Sequence, residues 1–121
     1  MSARSTRRVA ALGAVLATGV TAAPALAHAP VLGTMPAKGA TASSVRTVSV
    51  RFGEPVVTGL ITVKHANGGT VAAKASGLVD GKKRLRAAFS KNLPSGRYTV
   101  NWRVRADDGD TEKGSFSFRV R

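Results

Sequence analysis

The chain has no cysteine in 121 residues, so whatever compartment it enters, no disulfide staples it and its stability comes from packing or partly from a ligand. It also lacks any stretch with convincing helical periodicity, which argues against helix bundles and alternating α/β folds. Acids are scarce, six against 19 Lys and Arg. Histidine is scarcer still: His28 and His65 are the only two. There is one tryptophan, Trp102, and it sits mid-strand among apolar neighbours, where a core role is the expectation.

What is present begins with an export pattern. Arg4, Arg7 and Arg8 give a basic start, residues 9–26 are mostly Ala, Val, Leu and Gly, and Ala25-Leu26-Ala27 fits a small-x-small cleavage site. A retained membrane anchor is the rival reading, because the run approaches the roughly 20 residues that span a bilayer. Its Ala and Gly content and Pro24 make it a weak anchor. The pair Arg7-Arg8 after Thr6 also suits a twin-arginine export route, but a dipeptide does not settle the route. The expected organisation is a secretory signal over residues 1–27 and one small β domain over residues 28–121, in the periplasm or another extracytoplasmic space. A domain of this size holds a modest core and no deep enzyme cleft.

Losing Arg4, Arg7 and Arg8 lowers the formal charge from +13 to +10. Such a charge favours anionic partners, envelope surfaces among them. The cations are spread along the chain, with a cluster at Lys82, Lys83, Arg84 and Arg86, and no recognition motif accompanies them. A solvated basic surface is therefore expected, and no nucleic-acid partner.

After His28 the apolar period is two. In RYTVNWRVR, Tyr98, Val100, Trp102 and Val104 share one parity and the polar residues share the other, the mark of a strand with one buried face. Val48, Val50 and Phe52 repeat the pattern, as do Phe116, Phe118 and Val120 and, less cleanly, Leu85, Ala87 and Phe89. Shorter strands are expected over residues 60–64 and 70–74. Asn67-Gly68 and Asp80-Gly81 suit tight hairpins because these residues tolerate positive φ, and Pro94 presets another turn. The spacing predicts an all-β fold, a small antiparallel Greek-key sandwich or barrel of six or seven strands.

Four of the six acids fall within ADDGDTEKG: Asp107, Asp108, Asp110 and Glu112. Read alone, this is an exposed Asp-Gly turn between two strands. Its spacing does not match a calcium loop. Glu54, in RFGEPV, ends a strand as a loop residue would, and His65 reads as a solvated hairpin residue. His28 differs, because cleavage after Ala27 gives it a free α-amine. That amine and the imidazole Nδ1 can close a chelate on one ion, and paired nitrogens with carboxylate oxygens suit Cu(II) in a tetragonal site. Zinc accepts similar donors but prefers a tetrahedron.

HAPVLGTMPAKGA, VSVRFGEPV and SGRYTVNWRVRADDGDTEKGSFSF, in that order, resemble the CopC family of exported copper-binding, copper-resistance proteins across residues 28–120. The resemblance implies a seven-stranded β-barrel of cupredoxin-like or immunoglobulin-like appearance with one Cu(II) ion near the amino terminus. It assigns to His28 the amine and imidazole, to Glu54 the glutamate near copper and to Asp108 the aspartate ligand. The family's histidine two residues further on falls on Asp110, so either Asp110 supplies an oxygen in place of the stronger nitrogen donor, giving two nitrogens and up to three carboxylates, or the site is weakened or lost. Only Met35 outlasts the signal, so no methionine-rich Cu(I) site is expected.

The function these readings imply is a monomeric copper carrier or buffer, with copper as its ligand and an inner-membrane copper transporter as an expected partner. No catalysis is needed. A copper monooxygenase would require a second histidine in the same brace, and His65 is the only candidate. A third reading keeps the basic β-sandwich, drops copper, and binds anionic envelope components.

Overall fold

In the computed structural model, residues 29–121 are described; the expected signal over residues 1–27 and the candidate ligand His28 lie outside them. Nine strands follow in chain order: β1 (Val31–Met35), β2 (Thr41–Ala42), β3 (Thr47–Phe52), β4 (Val56–His65), β5 (Thr70–Val71), β6 (Ala75–Val79), β7 (Arg84–Ala88), β8 (Gly96–Ala106) and β9 (Thr111–Val120). Seven have five residues or more, which matches the expected number. They form two open sheets, ordered β1-β3-β7-β6 and β2-β9-β8-β4-β5, so of barrel and sandwich the fold is the sandwich. All pairings are antiparallel except that of β2 with β9.

The period-two strands lie where their patterning requires. Val48, Val50 and Phe52 from β3 and Leu85 and Ala87 from β7 face Tyr98, Val100 and Val104 from β8 and Phe116, Phe118 and Val120 from β9, all buried. Tyr98 stacks on Phe118 with centroids 5.4 Å apart, and its hydroxyl donates to the Pro94 carbonyl at 2.6 Å. A tyrosine bonded back to the chain just upstream pins the entry into a strand, as in immunoglobulin-like sandwiches. Trp102 is half-buried and meets Phe52 edge-on at 5.4 Å, the core role its parity predicts. That placement depends on Gly114, its cross-strand partner, where a Cβ would come within 2.6 Å of the indole.

The segment expected over residues 70–74 pairs only at Thr70–Val71. The strand expected over residues 60–64 extends to Val56–His65, with a register shift between Val56 and Thr58. At the Asn67-Gly68 turn only Gly68 takes positive φ, whereas Asp80, Gly81 and Lys82 all do (55°, 66° and 67°).

Candidate metal centre

One end of the sandwich collects the acids, for a reason visible in the register. β4 begins at Val56, which pairs with Ala106, the last residue of β8. The β3–β4 loop carrying Glu54 and the β8–β9 turn carrying Asp107, Asp108 and Asp110 therefore leave the same sheet side by side. The turn is tight: Gly109 N and Asp110 O both bond to Ala106, and Asp108 Oδ1 accepts from Asp110 N at 3.0 Å. Gly109, at φ 92°, gives the chain the left-handed step that closes it.

The amino-terminal segment is drawn to this end by two hydrogen bonds. Pro30 O accepts from Gly53 N at 2.8 Å, beside Glu54. Ala29 N donates to Glu112 Oε2 at 3.2 Å, and Ala29 is fully buried. Glu112, the second residue of β9, lies on the parity that Gly114, Phe116, Phe118 and Val120 continue toward the core. An acid on the apolar parity of an amphipathic strand is the signal that separates Glu112 from the exposed acids of ADDGDTEKG.

The expected ligands are thus partly gathered. Glu54, Asp108 and Asp110 are exposed at this end, and Glu112 is half-buried. Among the described residues no three His, Asp or Glu side chains form a group that holds a metal on its own. His65 is elsewhere: it pairs with Tyr98 at the opposite end of the β4–β8 ladder, its ring 5.4 Å from the tyrosine ring. Eight residue steps separate Tyr98 from Ala106, about 27 Å at the usual rise. No brace can join His65 to the acidic end.

Known proteins place this architecture. Two solved structures share it: the methionine-rich copper resistance protein PcoC from Escherichia coli (TM-score 0.70, 20% identity, covering 78% of this chain and all of that one) and CopC from Methylosinus trichosporium OB3b (TM-score 0.64, 27% identity, 77% and 93%). In sequence, copper resistance protein C of Xanthomonas campestris pv. juglandis is 35% identical over 91 residues, 68% of this chain and 71% of that protein. The model of the CopC domain matches residues 31–121, which takes in both sheets and the acidic end, and the chain belongs to this family of copper resistance proteins.

Proposed function

We propose that the chain, cut after Ala27, binds one Cu(II) ion at the acidic end of the sandwich and serves outside the cytoplasm as a copper carrier or buffer. In this reading His28 supplies its amine and imidazole, and Glu54, Asp108 and Asp110 supply oxygens. The observation that carries it is the hydrogen bond from Ala29 N to Glu112, which holds the residue next to His28 against the strand that leaves the acidic turn. Copper is cargo here, and no reaction is required of the protein. Delivery to an inner-membrane transporter is one use of such a carrier.

The donor chemistry fits Cu(II), which heads the divalent affinity order and accepts mixed nitrogen and oxygen ligands in tetragonal geometry. Amine and imidazole bind only when deprotonated, so affinity falls as pH drops below neutral. The test is an equilibrium Cu(II) titration of protein beginning at His28, which holds both sheets and the whole core, against a competing chelator. One equivalent bound, with affinity lowered about tenfold by Asp108→Asn or Asp110→Asn, roughly 1.4 kcal/mol each, is expected. Binding no tighter than that of a short peptide with the same first residues would contradict the proposal.

A further inference from the structure

The outward face of the five-stranded sheet carries charge of one sign only. Register sets it out: Arg97 lies opposite Arg119, Arg103 opposite Lys113, and Arg105 follows, with Lys64 on β4. The other outward residues of β4, β8 and β9 are Ser, Thr, Asn and two exposed apolar residues, Leu60 (63% exposed) and, at the register shift that opens β4, Val57 (43%). Glu112 points the other way, and the remaining acids are in loops and turns. Like charges directly opposite on neighbouring strands destabilise a sheet. Arg103 and Lys113 nonetheless face each other, and neither forms an ion pair with a described residue.

Around this pair lies a shallow cleft of about 520 Å³ lined by Leu60, Thr62, Asn101, Arg103, Lys113 and Ser115, with Trp102 and Gly114 at its floor. The six cations do not converge on one point. From Arg97 to Arg105 they extend over eight residue steps of β8, about 27 Å, which matches a surface better than a small ligand. An exposed leucine amid cations is the arrangement of a membrane-facing patch, its apolar tip entering the headgroup region while charges meet phosphates.

We propose that this face docks the protein onto an anionic phospholipid bilayer, with Arg103 and Lys113 sharing a lipid phosphate and the hydroxyl and amide groups of Thr62, Asn101 and Ser115 meeting the headgroup. The docking needs no copper. The acidic end adjoins this face only at its Arg105 end, two residues before Asp107.

The test is vesicle co-sedimentation of copper-free protein beginning at His28, using phosphatidylcholine vesicles with and without phosphatidylglycerol. Binding to the anionic vesicles alone is expected, lost near 1 M salt where the Debye length shrinks to about 3 Å. Replacing Arg103 and Lys113 by Gln should weaken it about 25-fold, at about 1 kcal/mol per cation near a charged surface. Arg51→Gln with Arg86→Gln, on the outer face of the other sheet, should leave it unchanged. Should the first pair misfold, Lys64→Gln with Arg105→Gln reads the same face, and unfolding by Trp102 fluorescence checks each variant. Equal losses from both faces would overturn the proposal in favour of undirected charge. So would failure to bind anionic vesicles, or binding of soluble polyphosphate with none to vesicles.

Discussion

At the residue scale, Glu112 ties the amino terminus to the acidic end. Its carboxylate accepts the Ala29 amide at 3.2 Å from a half-buried position, so the bond is charge-assisted and incompletely screened. Glu112→Gln should cost about 1 kcal/mol in denaturant unfolding and also weaken Cu(II) binding, because the segment before Ala29 loses its anchor. A purely structural role would lower stability and leave copper affinity alone. Tyr98 is the chain's only tyrosine, and burial pushes its phenol above the ordinary value. The unfolded chain ionises this group near pH 10, and the folded protein only at higher pH. Its contribution is therefore complete below about pH 10 and lost as pH rises through the raised folded value. Unfolding followed from pH 8 to 12 should show stability falling above pH 10, with the tyrosine-linked part of the slope absent in Tyr98→Phe. That variant should start about 1 kcal/mol less stable, for want of the bond to Pro94.

At the scale of elements, what the sequence discloses follows position in the sheet. β8 and β9 are central or nearly so, buried on one face along their length, and their period-two patterns announce them. β1, β2, β5 and β6 are the edges, and the periodicity misses β1, β2 and β6 and overextends β5, while the interior strand β4 is foreseen only in its second half. Edge strands bury little, so ASGLV of β6 carries no clean alternation to read. The acidic turn was legible as a cluster, whereas its nearness to Glu54 was not, because that depends on Val56 pairing with Ala106 across 50 residues. The β8–β9 pair also makes a packing prediction. Gly114→Ala would drive a methyl into the Trp102 ring and destabilise the fold by about 1–3 kcal/mol, with a shift in the emission of this single tryptophan. In the β6–β7 turn, Lys82 holds a left-handed conformation that disfavours side chains by about 1–2 kcal/mol. Lys82→Gly relieves this and adds backbone freedom to the unfolded chain, so a net gain of about 0.5 kcal/mol, a rise of roughly 2–4 °C in Tm, is expected.

At the scale of the molecule, charge is sorted by place. Acids concentrate at one end, and cations cover both outer faces, Arg51, Arg84 and Arg86 on one and the Arg103–Lys113 face on the other. An acidic end on a protein of formal charge +13 is the region of the described residues best suited to a dication, while the cationic faces suit anions. This sorting explains why composition alone pointed to anionic partners and motif order pointed to copper. The two readings concern different surfaces of one sandwich. The copper reading rests on a free amine at His28, which makes cleavage after Ala27 the step that completes the site. The most direct measurement compares Cu(II) affinity in protein beginning at His28 with the same protein carrying one added glycine before it. The amine chelate predicts a loss of about 100-fold or more in the extended form, roughly 2.7 kcal/mol. Equal affinity in the two would contradict it.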